Sequence, residues 1–365
     1  MKRTVFALAL VLALLGMFGS VGAARAAQDP TVAAQAALGW LVARQADDGS
    51  FPGFDAGASA DAVFAIVAVG ADPNGVLKNG HSPVSYLGTQ AAGYAAKSPA
   101  AAGKLVLAVV AAGKDPLDFG GQNLVAQVLK SYDPQTGRYG TTPLDHAFAL
   151  LALASTGQPI PQQAVTAIGS LQLPDGGWSF DGAAATGSDT NTTALVVQAL
   201  AAAGARGDSL ARALTYLKSQ QNTDGGFPYA KSSPFGSETD ANSTALVIQA
   251  LVAAGEDPRA WKQSGGDPIG ALLSLQNPSG AFRYQAAQPD DNDLATAQAI
   301  PALLFKPLPL KTVSLPPVQV VPAPAPVGAP ASLPNTGGAL EPVGLVALAL
   351  VLMVAGRLLT LRRMP

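Results

Sequence analysis

The sequence predicts an all-α body of six helical hairpins, whose two kinds of helix close into concentric inner and outer rings; three periodic features predict it. First, Gly70, Gly113, Gly157, Gly204 and Gly255 each end an Ala/Val/Leu-rich run, at spacings of 43, 44, 47 and 51 residues. Pro73, Pro116, Pro159 and Pro258 follow four of them. Glycine then proline stops a helix, because glycine adopts the left-handed cap and proline cannot continue the ladder. Second, a marker recurs in the same register: Gln45-x-x-Asp48-Gly49-x-Phe51, Gln172-x-x-Asp175-Gly176-x-Trp178, Gln221-x-x-Asp224-Gly225-x-Phe227 and Gln276-x-x-Ser279-Gly280-x-Phe282. Asp133-x-x-Thr136-Gly137-x-Tyr139 is a weaker copy, and residues 86–94 are a sixth unit without the marker. Third, the helices are of two kinds. In residues 210–221, Leu210, Ala213, Leu214 and Leu217 form one apolar stripe while Arg212 and Lys218 lie off it, as on an outer helix with one wet face. Residues 193–204 and 244–255 carry no charge and are apolar on every side, so they are inner helices covered all round. No β-sheet is expected.

The ends of the chain read as addresses. Lys2 and Arg3 precede an apolar run over residues 5–18 and then Ala24-Arg25-Ala26, the order of a secretory signal peptide, here residues 1–26. The body follows at 29–306 and a proline-rich stalk at 307–332, whose donor-poor sequence favours extended polyproline geometry. Residues 333–365 begin with Leu333-Pro334-Asn335-Thr336-Gly337 and continue through an apolar stretch at 343–356 to Arg357, Arg362 and Arg363. This order resembles the sorting signal read by sortase transpeptidases. The resemblance implies cleavage between Thr336 and Gly337, attachment to the cell wall, and a membrane span before processing. A plain C-terminal membrane anchor is the alternative. Signal peptidase and a sortase-type transpeptidase are the processing partners, and the body is placed on the extracellular face.

Composition removes several chemistries. Lys and Arg number 22 against 24 Asp and Glu, for a net charge of −2, so no basic surface marks a nucleic-acid binder. No cysteine is present, which excludes disulfides, thiolate metal sites and cysteine nucleophiles. Charged residues make up only 13% of the chain, consistent with helices that have no wet face.

The marker and the six hairpins, over residues 31–304, resemble the prenyltransferase and squalene-cyclase repeat family, the terpenoid cyclase-like superfamily built as an α/α toroid. The resemblance implies that the marker Gln and aromatic tie neighbouring hairpins together. Its catalytic branches are tested residue by residue. The prenyltransferase zinc site of Asp, Cys and His fails for want of Cys, with His81 and His146 the only histidines. The cyclase Asp-x-Asp-Asp motif is not matched by Asp290-Asp291-Asn292-Asp293, and a thioester needs the missing Cys.

What remains is the set of inner-helix starts. Asp189, Asn191 and Thr193 repeat as Asp240, Asn242 and Thr244, and Asp291 and Asp293 follow in the next unit. In a closed ring they gather at one mouth, as ligand-binding residues or as helix caps. Gln198 and Gln249 read as hydrogen-bond pins, and His146 beside Asp145 as an ordinary histidine at a helix start, with an acid/base pair as the alternative. These residues favour a non-catalytic, surface-anchored binding module for a small molecule or envelope component. A terpenoid cyclase- or prenyltransferase-like enzyme is the alternative, and a spacer or adhesion domain is third. No catalytic residue, metal or cofactor is assigned, cobalamin being a minor alternative through the carrier branch.

Replacing Thr336 with Ala is expected to abolish covalent attachment and leave export intact, because transpeptidation acts on that carbonyl. Detergent extraction followed by fractionation checks it, and a variant retained in the wall would defeat the sortase reading.

Overall fold

A computed structural model of the protein describes residues 29–233 and 236–318. The signal peptide, the sorting motif Leu333 to Gly337 and the apolar stretch after it lie outside the described residues. Among the described residues no helix is long and apolar enough to cross a membrane.

Twelve α-helices alternate between two layers among the described residues. The outer ones are α1 (Pro30–Val42), α3 (Pro83–Ala95), α5 (Leu124–Lys130), α7 (Gln162–Ser170), α9 (Asp208–Gln220) and α11 (Pro268–Ser274). The inner ones are α2 (Ala56–Ala68), α4 (Pro99–Ala111), α6 (Pro143–Thr156), α8 (Thr190–Ala202), α10 (Ala241–Ala254) and α12 (Asp293–Leu303). Each inner helix packs on the next, α2 to α4 and so on to α12, and α12 packs back on α2 and α1. The ring is therefore closed, as an α/α toroid. Outer helices α3, α5 and α9 each sit in the groove between two successive inner helices.

Every inner helix starts on a side-chain cap: Asp55, Ser98, Thr142, Asp189, Asp240 and Asn292 each accept a hydrogen bond from a first-turn amide. With the cap as position zero, positions 5 and 10 are small in all six: Ala60 and Ala65, Gly103 and Ala108, Ala147 and Ala152, Ala194 and Ala199, Ala245 and Ala250, Ala297 and Ala302. At about 100° per residue these positions flank the helix, where its inner neighbours pack. At Gly103 an added Cβ would lie 2.6 Å from the Phe148 carbonyl oxygen.

The marker occupies the turn from outer to inner helix in five units. Its Gln closes its own turn and reaches the next outer helix or the segment that leads into it. Gln172 Nε2 donates to Gly176 O and Ser209 O at 2.7 and 2.8 Å, and Gln221 Nε2 to Gly225 O and Trp261 O at 2.9 and 2.6 Å. Gln276 Nε2 does the same to Gly280 O at 2.8 Å and to Ala33 O on α1 at 2.9 Å, which sews the last unit to the first. The marker glycine must be glycine: Gly176 has φ +93°, and a Cβ there would meet Arg212 O at 2.5 Å. In the second unit the connection is only Ala96, Lys97 and Ser98, too short for a marker.

Two expectations are corrected. Antiparallel hairpins form in the third and sixth connections, β1 (Tyr132–Asp133) with β2 (Arg138–Tyr139) and β3 (Phe282–Gln285) with β4 (Gln288–Asn292), where the chain doubles back beside the marker turn. The predicted stalk also begins too early. Residues 307–318 lie against the toroid, with Leu308 buried and Leu310, Val313 and Leu315 packed on the core. Backbone bonds from Val313 N to Ser155 O at 2.8 Å and Leu315 N to Thr156 O at 3.1 Å hold them to the end of α6. The remaining stalk residues, 319–332, lie outside the described residues.

The same substitution is expected to have opposite signs at two helical glycines. Gly103→Ala overpacks the seam between α4 and α6 and should destabilise by about 1–3 kcal/mol. Gly39→Ala, on α1 with nothing within 4 Å of its added Cβ, should stabilise by roughly 0.5–1 kcal/mol through helix propensity. Urea unfolding of both variants checks the pair.

Candidate functional site

All inner-helix N-termini open at one end of the ring, and the sequence-predicted residues gather there in distinct roles. Asp189 caps α8, its Oδ1 accepting from Thr192 N at 2.7 Å. Asp240 caps α10, accepting from Ser243 N at 2.7 Å and Ser243 Oγ at 2.8 Å. The equivalent cap of α12 is Asn292, which accepts from Ala295 N at 2.9 Å, and not Asp291 or Asp293.

Asp291 instead holds a turn. Its carboxylate accepts from Ser279 Oγ at 2.9 Å, where the two preceding units place the same bond with its ends exchanged: Ser188 Oγ donates to Asp175 at 2.7 Å and Thr239 Oγ1 to Asp224 at 2.8 Å. Asp293 forms an ion pair with Arg44 at the end of α1, across the seam that closes the ring. Both acids are occupied in holding the fold together.

Thr193 and Thr244 stand at position 4 and face outward. Thr193 Oγ1 accepts from Trp178 N and Thr244 Oγ1 from Phe227 N, each at 3.0 Å. Ser59 and Thr296 do the same for Phe51 and Phe282 at 3.0 and 2.8 Å. His146 fills this position in the third unit: its Nδ1 accepts from Tyr139 N at 2.9 Å and its Nε2 lies 2.8 Å from Ala164 O, so Nε2 carries the proton. Burial holds its pKa below the usual histidine value, and both ring nitrogens are used. Only the unit without a marker has an alanine here, Ala102.

Because position 4 faces outward, positions 2 and 6 face the axis, about 160° away on either side. Exposure agrees. Lys104, Phe148, Leu246 and Gln298, all at position 6, are half-buried in the middle of helices whose neighbouring residues are buried. Asp61 and Leu195 complete this layer at 9% and 8% exposure. At position 9 the ring is closed, with Phe64, Leu107, Leu151, Gln198, Gln249 and Pro301 buried. The lumen is thus a cup that reaches from position 2 to position 6, about 6 Å at a rise of about 1.5 Å per residue.

Sequence reasoning missed the charges on its floor. Lys104 Nζ lies 2.8 Å from Asp61 Oδ2, and these are the only charged residues beyond the first turn of any inner helix among the described residues. Burial pushes the Asp61 carboxyl above the usual carboxylate range, and Lys104 opposes the shift. A signal existed: each is a lone charge in an otherwise charge-free inner run, six residues after its cap. Asn191 and Asn242, from the predicted set, lie on the rim at position 2. Asn242 Nδ2 donates to Gln298 Oε1 at 2.9 Å, and Asn191 Oδ1 is buried without a partner. Gln198 and Gln249 pin the segment below: Gln198 Oε1 accepts from Leu308 N at 2.9 Å, and Gln249 Nε2 donates to Lys306 O at 2.8 Å. An open groove of about 810 Å³ also lies between the fifth and sixth turns, but Asn222, Asp224, Lys231 and Thr239 on its wall already bond to neighbouring protein atoms.

No known protein family and no curated protein matches the sequence. Solved structures do match in fold. A protein from Actinoplanes has a TM-score of 0.53 at 16% identity, covering 76% of this chain and 98% of its own. The type II terpene cyclase MstE from Scytonema has 0.52 at 15%, covering 76% and 97%. The unsaturated glucuronyl hydrolase of Bacillus sp. GL1, responsible for the degradation of glycosaminoglycan, has 0.52 at 15%, covering 76% and 96%. The likeness is one of fold. It agrees with the α/α toroid and lends no support to the non-catalytic reading.

Burial pushes the Asp189 and Asp240 carboxyls up to about 7, against the favourable amides of the helix ends. Both bind protons more tightly folded than unfolded, where the pKa is about 3.9. Their stabilising effect is therefore full below about pH 4 and is lost as pH rises to about 7. Asp189→Asn and Asp240→Asn should flatten that slope while keeping the cap, as Asn292 does. The Ala variants should lose about 0.5–2 kcal/mol of capping. Thermal unfolding from pH 4 to 8 checks both.

Proposed function

We propose that this chain is an α/α-toroid enzyme that acts on a small molecule in the cup, with Asp61 as the group that moves a proton and Lys104 as the cation that sets its charge state. The observation that carries the reading is the Asp61–Lys104 pair on the cup floor. Burying two charges costs several kcal/mol of desolvation, so a ring that needed only packing would not use them. The same position is filled by Phe148, Leu195 and Leu246 elsewhere, so the fold accepts apolar residues there. A carboxyl with a raised pKa beside a cation, reachable from one mouth, has the character of a general acid or base. Toroids of this shape serve as a cyclase in the Scytonema protein and as a hydrolase in the Bacillus one. The N- and C-terminal sequence signals support placing the enzyme outside the cell, held by its C-terminus.

A second reading, a carrier that binds without turnover, is favoured by one feature: Asp61 is bonded to Lys104 and Asn242 to Gln298, so these groups satisfy one another.

Asp61→Asn separates the two readings. Native mass spectrometry should detect a small molecule bound to both parent and variant after incubation with a metabolite extract. Chromatography of the same extract should show conversion by the parent that falls at least about a hundredfold in the variant. A molecule bound by both and converted by neither would establish the carrier instead.

A further inference from the structure

We infer that the cup takes a compact, uncharged alcohol with a ring-sized apolar body, and that residues 306–318 support from beneath the floor that excludes longer chains; this rests on the cup being the binding site. The floor is divided in two. Position 6 is Gln298, Asp61 and Lys104 on the adjacent helices α12, α2 and α4, and Phe148, Leu195 and Leu246 on α6, α8 and α10. An apolar body has one half to lie on, and a polar group the other.

The polar half carries no net charge, because Asp61 and Lys104 cancel. A charged ligand would lose its hydration without gaining an unpaired counter-ion, whereas an uncharged group forfeits far less. The face of α8 adds a requirement for a hydrogen-bond donor. Asn191 Oδ1 on the rim is a buried acceptor without a donor. An unmade bond of this kind is costly, and a hydroxyl supplies the donor.

Length is set from beneath. Lys306 O and Leu308 N bond to the Gln249 and Gln198 side chains at position 9, so the chain crosses directly under the position 6 layer, with Leu308 turned into the core. Only about 6 Å of depth lies above the position 6 layer, room for a ring and its hydroxyl and not for an extended polyprenyl chain.

The test uses cyclohexanol, p-cresol and the n-alkanols from butanol to dodecanol, titrated against the full chain with leucine methyl groups observed by NMR. Leu195 and Leu246 methyl signals should shift with the cyclic alcohols. Affinity along the alkanols should rise to about hexanol and then level off, since each buried methylene adds free energy only while there is room for it. Leu308→Gly should move that plateau to longer chains, and Asn191→Leu should weaken cyclohexanol about tenfold with unchanged melting temperature. Affinity that keeps rising to dodecanol in the parent, hexylamine or hexanoate binding more tightly than hexanol, or no alcohol binding at all would each overturn the inference. If Leu308→Gly does not fold, the parent series decides. Alcohol binding without any Asp61-dependent conversion would leave this ligand class standing and remove the enzyme reading; Asp61-dependent conversion of a long or charged molecule would do the reverse.

Discussion

Close approach between the six inner helices is the constraint on which the rest of the structure depends. Alanine or glycine at positions 5 and 10 of every inner helix lets each approach its neighbours on both sides. Side chains of ordinary size there would push the helices apart and widen the ring beyond what the outer layer can cover. The seam explains the low charge of the body, since helices packed on every side have nowhere to hydrate an ion. It also makes the lumen narrow, so a single layer of side chains at position 6 is enough to form a floor.

A second repeated device fixes how each hairpin is set against that ring. The marker Gln bonds its own turn and the next outer helix or the segment leading into it, while the marker aromatic donates its amide to position 4 of the inner helix. The chemistry at each place is kept while the residue varies. Ser59, His146, Thr193, Thr244 and Thr296 all supply an acceptor, and the Asp224–Thr239 bond reappears as Asp291–Ser279 with its donor and acceptor exchanged. His146 and Asp291 read as reactive groups only when taken out of this repeat.

Variation between the units is then confined to positions that the repeat leaves free. Positions 0, 4, 5 and 10 are committed to caps, pins and seams, whereas positions 2 and 6 differ from helix to helix. That variation puts an ion pair, an amide and three apolar side chains around one floor. Solved structures of this fold are named as a cyclase and as a hydrolase, so the ring alone does not fix a chemistry.

The sequence by itself determined the six hairpins and the sorting of helices into inner and outer, because these follow from local periodicity, and it offered capping as one of two roles for Asp189 and Asp240, which the first turns of α8 and α10 then showed. It also marked Gln198 and Gln249 as pins without naming what they hold. The tertiary structure decided the rest. Asp291 and Asp293 became a turn clasp and a seam ion pair, since their partners are Ser279 nearby and Arg44 at the far end of the chain. Asp61 and Lys104 became an ion pair because they stand on different hairpins at one level of a closed ring. Residues 307–318 became part of the body rather than the start of a stalk, because the apolar side chains among their prolines pack on the core of the toroid. Periodicity along the chain specifies which face of a helix is buried, but which faces meet across the axis exists only once the last hairpin has bonded to the first.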